Sequence, residues 1–535
     1  MVERLAAAHE PEDMMRENSQ EAEPGSLAQP KRYQFNLGAK LFAARHTFRQ
    51  DVDGRLLLYS PDSPGLPLIV PNAMGALLDR FAEGNTMLGS MQGEAVHGPQ
   101  FQELLRNINF LYERGFLRDA PDPRRYVPHG PDKSRPPPEF DAWVHVNNNC
   151  NLDCAYCFVG HTPEAMTSAV ASETAQRMSL AARKYALERI TIKFAGGEPT
   201  LVLPVMRHFV ECLVAELRGT KTELKIALIT NGTHVTDKLI EWIKQDDVSV
   251  NVSLDGYGDD HDVYRVYKTP QRRLRVFGGT SGSDFRAGDE PPQRRGSWKK
   301  IVENIAWLQA EGIVPNINAT ISQESCGSLA ELVKWVFGSG MRLCHLGVVR
   351  QPGSSWERTP DLRGAFDRYN NLLIESFDRA LTELERPEYF LDLPSALTIA
   401  ELAFDNPAPD ICCGMGTNHM VVRHDGNLAA CPMTVGEDRF EPGDSDLIET
   451  MQRTFTESAR DRGDDGECLS CEWYKVCASG CPQANKRFFG HSFTKSPLCR
   501  FWKFVIPRYV TFFGRKLVQA EQRVQRTGGY DEQGV

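Results

Sequence analysis

Three thiols, Cys150, Cys154 and Cys157, stand within eight residues in the run Cys150-Asn-Leu-Asp-Cys154-Ala-Tyr-Cys157. The thiolate form of cysteine is both a nucleophile and a soft metal ligand. A tight loop with three of them can hold three irons of a four-iron cubane and leave the fourth open to a substrate or cofactor. A zinc ion would need a fourth thiolate or a histidine in tetrahedral array, for which His145 and His161 are at hand. The loop by itself leaves both metals open. Three thiols this close together with no ligand at all would be a poor use of reactive groups.

A second set lies far downstream: Cys412, Cys413, Cys431, Cys468, Cys471, Cys477, Cys481 and Cys499. Of fourteen cysteines, eleven fall in these two patches, while Cys212, Cys326 and Cys344 are scattered and read as ordinary buried thiols. The N-terminal run MVERLAAAHEPEDMM has no signal-peptide apolar core, and no apolar run approaches the roughly 20 residues that span a bilayer. The chain therefore reads as cytoplasmic and without a membrane partner, where a reducing environment disfavours a disulfide framework and makes metal ligation the leading explanation. The net charge of -10 lacks the basic footprint of phosphate binding, which argues against nucleic acid as the main partner.

The elements that must position these thiols follow a clear order. At 535 residues the chain exceeds one hydrophobic core and should divide into roughly three or four domains. Residues 1–30 are poor in large apolar side chains and read as a disordered tail. Residues 31–120 form a small α+β unit: HTFRQDVDGRLLLYS with a turn at Asp53-Gly54, then LPLIVP, then helical patterns in NAMGALLDRFAEG and FQELLRNINFLYERGF. A Pro-rich linker covers 121–139.

From 140 to 350, strand and helix patterns alternate six times, with strands WVHVNNN, ITIKFA, LKIALITN, VSVNVSLD, PNINATIS and LCHLGVVR. This is an α/β pattern, a parallel sheet with covering helices, open or rolled into a partial barrel. Chemistry in such sheets gathers at the C-terminal strand ends, and the cysteine loop directly follows the first strand. The Gly-, Pro- and Arg-rich stretch 268–300 reads as a long inserted loop, solvated or, alternatively, a lid that contacts a peptide. A helical linker at 351–407 leads into a cysteine-dense region at 408–500, and 501–535 reads as a C-terminal helix and tail.

With the other strand ends in view, the chain resembles the radical S-adenosylmethionine superfamily, whose fold would be a partial (βα)6 TIM-like barrel. Ala195-Gly196-Gly197-Glu198-Pro199 after the second strand resembles the segment that contacts the methionine amino group of the cofactor. Glycines allow close backbone approach, and a carboxylate suits an ammonium. Thr230-Asn231-Gly232 ends the third strand, and Ser253-Leu254-Asp255-Gly256 with His261-Asp262-Val263-Tyr264-Arg265 follows the fourth. The resemblance implies cofactor contacts at Tyr156 near adenine, at Gly196, Gly197, Glu198 and Asn231, at Ser253 for the ribose, and at Arg265 for the carboxylate. It also implies that Cys150, Cys154 and Cys157 hold the catalytic [4Fe-4S] cluster, whose electron cleaves S-adenosylmethionine to a 5'-deoxyadenosyl radical. The reductant would be a donor such as flavodoxin or ferredoxin.

The second cysteine set, with twelve residues from Cys413 to Gly426, four more to Cys431, then Cys468-x-x-Cys471, Cys477, Cys481 and Cys499, resembles the SPASM extension of peptide-modifying radical enzymes. That resemblance implies two auxiliary iron-sulfur clusters, one on Cys468, Cys471, Cys477 and Cys499, the other on Cys413, Cys431 and Cys481. The remaining ligand of the latter would be Cys412, or its place is an iron left open to substrate. A pair of zinc knuckles would be separated by about 15 to 20 residues rather than five. The 31–120 unit resembles the winged-helix domains that bind leader sequences of ribosomally made peptides, which can take up a peptide along a strand edge; the alternative is a plain structural cap for the barrel.

The expected activity is that of a radical oxidoreductase that installs a thioether or carbon-carbon crosslink on a precursor peptide. A maturase forming formylglycine on a sulfatase is the second expectation, although Pro432 stands where those proteins carry an aspartate after the cysteine matching Cys431. A non-catalytic iron-sulfur protein or peptide chaperone is the expectation from another class.

Overall fold

A computed structural model describes residues 38–63, 66–91, 98–123, 125–126, 137–268, 295–349, 366–387, 389, 397–399, 413–443, 446–459, 463 and 466–527. The tail at 1–30, most of the insertion and Cys412 lie outside these.

Residues 38–118 build β1 (Lys40–Ala43), β2 (Phe48–Val52), β3 (Arg55–Tyr59), β4 (Leu68–Val70), β5 (Asn85–Thr86) and β6 (Leu117–Arg118). They pair as two antiparallel sheets, β2-β3-β4 and β5-β1-β6. Asp53 and Gly54 both take positive φ, 52° and 78°, the two-residue turn whose twist matches a hairpin, and Val52 pairs with Arg55 across it. The expected hairpin and helices are present, the latter as Ala73–Asp79 and Pro99–Glu113. Leu58, Met74, Leu78, Phe81, Ile108 and Leu111 give this unit its own core.

Six parallel strands follow in spatial order as in sequence: β7 (Glu139–His145), β8 (Arg189–Ala195), β9 (Glu223–Thr230), β10 (Ser249–Ser253), β11 (Asn316–Ile321) and β12 (Arg342–Val348). Each carries a period of two. Phe140, Ala142 and Val144 of β7, and Ile190, Ile192 and Phe194 of β8, are buried in one large cluster with residues of the helices Ser168–Tyr185 and Leu203–Glu216. The intervening Asp141 and Lys193 lie on the opposite face, paired at 2.5 Å. Helix starts are set locally: Thr167 accepts from Val170 N and Thr236 from Leu239 N, both at 3.3 Å. The architecture is α/β with a partial-barrel parallel sheet.

The sheet continues beyond the six expected strands. β13 (Leu397–Ile399), from the segment read as a helical linker, pairs parallel with β12. From the cysteine-dense region, β14 (His419–Val422) pairs parallel with β7, and β15 (Leu428–Ala429) antiparallel with β14. Strands of two to four residues offer too few repeats for a periodicity to show. The first strand also begins at Glu139, four residues before the expected Trp143, and releases Asn147, Asn148 and Asn149 into the cysteine loop.

The last helix, Cys499–Thr527, ties the molecule together. It packs on the helix Phe366–Leu384, and Gly514 lies against β3, where a β-carbon would stand 2.8 Å from the Leu57 methyls. Arg55 of β3 forms an ion pair with Glu521. Among the described residues no helix is long and apolar enough to cross a membrane.

Candidate active site

The cysteine loop leaves the C-terminal end of β7 and is fastened to its neighbours by backbone. Asp153 N donates to Val266 O at 2.8 Å, and Lys268 N to Asn151 O at 3.1 Å. Cys150 and Cys154 are buried, and both pack around Leu152 with Cys157 and Tyr156 alongside. Burial, then the Glu198 carboxylate, pushes the Cys150 thiol up to about 12, and burial pushes Cys154 upward as well. Thiols in such surroundings stay protonated unless a cation stabilises the thiolate, which is the chemistry an iron centre supplies.

The Gly196-Gly197-Glu198 segment lies directly against this loop. Gly197 N donates to Asn147 O at 2.7 Å and Glu198 N to Asn149 O at 2.8 Å. A β-carbon on Gly197 would sit 2.3 Å from Asn149 O, and one on Gly196 2.5 Å from Asn147 Oδ1, so the two loops touch only because these positions are glycine. Glu198 is fully buried, accepting from Thr200 N, Thr200 Oγ1 and Thr230 Oγ1 at Oε1 and from Asn231 N at Oε2. Asn231 Nδ2 in turn donates to Asn151 Oδ1 at 2.8 Å and reaches Cys150 Sγ at 3.7 Å. Three strand ends are thereby locked around one cysteine.

The fourth strand end brings in a residue to which sequence reasoning gave no role. Arg265 Nε donates to Asp255 Oδ2 at 2.6 Å, and the Tyr156 hydroxyl donates to the same oxygen. The guanidinium also lies 5.6 Å from the Tyr156 ring centroid. Asp255 Oδ1 accepts from Thr320 N, and Asp255 N donates to His261 Nδ1, whose ring is held by Ser297. Asp255 stood inside the quoted Ser-Leu-Asp-Gly segment, but no spacing tied it to Tyr156 or Arg265, and only the fold brings the three together. Ser253 ends β10 half-buried, opposite Asn318 of β11.

The downstream cysteines separate in space into two groups. One cavity is lined by Cys468, Cys471, Cys477 and Cys499, together with Trp473, Tyr474, Trp502 and Lys503. Elsewhere Cys481 is buried with Met433 and Ala484, and Cys431 and Phe158 pack against the same cluster. Phe158 directly follows Cys157, so this group lies beside the β7 loop. Cys413 is exposed at the edge of the described residues. Among those residues no three Cys, His, Asp or Glu side chains converge to hold a single metal ion.

A parallel strand array with three cysteines on its first loop and hydrogen-bonded contacts from the next three strand ends defines a class, and comparison with known proteins agrees: residues 144–322 match the radical SAM superfamily. A radical SAM domain therefore spans residues 144–322, and the cofactors are S-adenosylmethionine and iron-sulfur clusters. The chain is similar to a cysteine-type anaerobic sulfatase-maturating enzyme of Clostridium novyi, 23% identical over 380 residues, covering 67% of this chain and 91% of the relative. It shares its fold with anSMEcpe bearing bound AdoMet, at TM-score 0.51 and 17% identity, over 72% of this chain and 96% of the other. Streptococcus suis SuiB bound to S-adenosylmethionine aligns over 86% of this chain and 99% of its own, with TM-score 0.45 and 14% identity.

Proposed function

We propose that the protein is a peptide maturase that uses radical chemistry to install a thioether or carbon-carbon crosslink on a ribosomally made precursor. The observation that carries this reading is the seating of the 38–118 unit on the cysteine-lined cavity. Tyr59 stacks on Trp473 at 6.5 Å and 12° and Asp62 meets Lys475 at 2.9 Å, while Tyr126 of the segment that follows the unit stacks on Tyr474 at 5.4 Å. A separately cored unit in which β2 and β4 are edge strands among the described residues, placed against the auxiliary-cluster region, suits a winged-helix-like domain that takes up a peptide along an edge.

Cys150, Cys154 and Cys157 would hold a [4Fe-4S] cluster beside S-adenosylmethionine, and the pair would supply radical hydrogen abstraction. Around them the chain orients and excludes water. Gly196 and Gly197 bring backbone close, and Glu198, with one donor on Oε2 among the described residues, can accept an ammonium. Arg265 meets Asp255 through Nε, which leaves its terminal nitrogens for a carboxylate, and Ser253 and Tyr156 border the ribose and adenine. Cys468, Cys471, Cys477 and Cys499 would hold one auxiliary cluster. Cys413, Cys431 and Cys481 would hold a second, completed by Cys412 or by an open iron, and a flavodoxin or ferredoxin would deliver electrons.

Formylglycine formation on a sulfatase is a second reading, supported by the Clostridium novyi relative. Pro432 cannot serve as a base. Asp438 lies nearby, however, accepting from Thr434 Oγ1 at 2.5 Å and Ala430 N at 3.2 Å.

Anaerobic reconstitution with S-adenosylmethionine and dithionite should yield 5'-deoxyadenosine, and its absence with or without peptides would overturn the enzyme reading. Mass spectrometry then separates the two substrates. A peptide encoded beside the gene that loses two hydrogens and keeps its sulfur supports the crosslink, whereas a sulfatase peptide whose Cys or Ser becomes an aldehyde supports the second reading.

A further inference from the structure

A register slip in β12 decides which way one histidine points. β11 and β12 pair in parallel with Ile317 opposite Leu343, but the next partners are Asn318 and His345, so Cys344 is an extra residue. Beyond the slip Ala319 meets Leu346 and Ile321 meets Val348, all four in the core shared with the covering helices. Partners across a ladder share a face, so Asn318, His345, Thr320 and Gly347 lie on the inner face of the sheet, away from those helices. Exposure agrees, since Asn318 and Thr320 are half-buried and His345 is exposed. A β-carbon on Gly347 would stand 3.3 Å from His345 Nε2, which puts the ring on that same face. Without the extra residue His345 would fall opposite Ala319 and turn into the core. A bulge that re-aims a side chain in this way is common beside reaction centres.

β10 adds to the same wall. Val250 and Val252 are in the core, so Asn251 and Ser253 face inward, and Ser253 pairs with Asn318. Ser253, Asn318 and His345 thus form one row across three strands, with about 4.8 Å from each strand to the next. The row runs from the residue read as bordering the ribose, through an amide, to an imidazole. The β10 and β11 part of the wall is uncharged, and the Asn318 amide bonds to no described residue. The ion pair on this face, Asp141 with Lys193, belongs to β7 and β8. A side-chain amide offers two donors and an acceptor, the complement of a peptide C=O and N–H.

We infer that this row is the substrate subsite, in which Asn318 binds a main-chain amide of the peptide beside the ribose and His345 takes the proton that oxidation releases. The inference rests on the peptide-crosslink reading above and supplies the base that reading needs. Forming a thioether replaces one C–H and one S–H of the peptide by a C–S bond. The hydrogen atom of the C–H goes to the 5'-deoxyadenosyl radical, the proton of the S–H to a ring nitrogen of His345, and one electron to an auxiliary iron-sulfur cluster. In a carbon-carbon crosslink the proton leaves the second carbon instead. A neutral imidazole has one ring nitrogen free to accept that proton.

The test uses the full reconstituted chain and a synthetic copy of the precursor encoded beside the gene, deuterated in its side chains. Asn318→Leu keeps the shape and loses the amide, and precursor affinity, read by fluorescence anisotropy, should fall about fivefold. Asn318→Ala takes its place should Asn318→Leu lose iron. His345→Gln should lower the ratio of crosslinked peptide to deuterium-bearing 5'-deoxyadenosine by about 100-fold, because hydrogen is still taken while the product is not completed. Imidazole added to His345→Ala should raise that ratio again, which a histidine of purely structural value would not allow. Parental affinity in the Asn318 variant, a parental ratio in His345→Gln, or a ratio in His345→Ala that imidazole leaves unmoved overturns the inference. The underlying reading fails differently: a parent chain that cleaves S-adenosylmethionine yet leaves the precursor unaltered refutes the peptide-crosslink reading, and the subsite falls with it.

Discussion

Arg265 and Asp255 form a buried ion pair at 2.6 Å, with side chains 11% and 2% exposed, beneath the tyrosine that precedes the third cysteine of the β7 loop. Burial works against the guanidinium charge, but Asp255 outweighs it and holds Arg265 firmly protonated. Removing one partner of such a pair leaves an uncompensated charge, at a cost of about 3–5 kcal/mol. Asp255→Ala should therefore lower thermal stability by several degrees and abolish binding of S-adenosylmethionine. Differential scanning calorimetry and equilibrium dialysis on the reconstituted protein check both, and a variant with parental stability would sink the account.

Gly197→Ala tests whether the two loops need their close contact. The added methyl would lie 2.3 Å from Asn149 O and 2.5 Å from its carbonyl carbon, both backbone atoms that cannot swing aside. The β7 loop must shift. The expected result is a loss of about four irons per chain together with loss of cofactor cleavage, read by iron analysis and 5'-deoxyadenosine formation.

Stability should fall in mild acid. Burial lowers His261 to about 3 and His145 to about 4, so both stay neutral in the folded chain while their unfolded forms protonate near 6.5. Between these values the unfolded chain binds more protons, so stability is lost as pH drops from about 6.5 toward 4, by about 1.4 kcal/mol per pH unit for each histidine. Denaturant titrations at stepped pH should show this slope. His261→Asn, able to accept from Asp255 N and pair with Ser297, should reduce it, and a slope the same as the parent's would exclude His261.

Asp62 fastens the N-terminal unit to the cysteine-lined region. Its carboxylate accepts from the Tyr126 hydroxyl at 2.8 Å and meets Lys475 at 2.9 Å, with its side chain 2% exposed. Asp62→Ala should cost about 1–3 kcal/mol through unsatisfied partners. Hydrogen exchange should quicken in residues 48–59 and 466–480 together while β7 to β12 remain protected. Quickening confined to the hairpin would refute the coupling.

Cys468→Ala should remove about four of roughly twelve irons and leave cofactor cleavage by the β7 loop intact. Iron analysis beside uncoupled 5'-deoxyadenosine formation reads both.

Much of this protein is legible in its residues alone because the information is local. Cys150 to Cys157 share one loop, the turn at Asp53-Gly54 is two residues long, and each of β7 to β12 carries its own alternation of apolar side chains. What only the tertiary structure decided is who meets whom across long stretches of chain. Tyr156 shares Asp255 with Arg265 across 99 residues, β14 joins the sheet beside β7, Phe158 packs with Cys431 and Cys481, and Trp502 comes to line a cavity with Cys468. Such pairs leave no periodic trace, because burial and hydrogen-bond satisfaction are properties of the assembled core rather than of any one segment. The cysteine spacing thus marked two places where a metal group could be held, and the packing decided that Glu198 and Asn231 stand beside Cys150 while Trp473 and Trp502 stand beside Cys468.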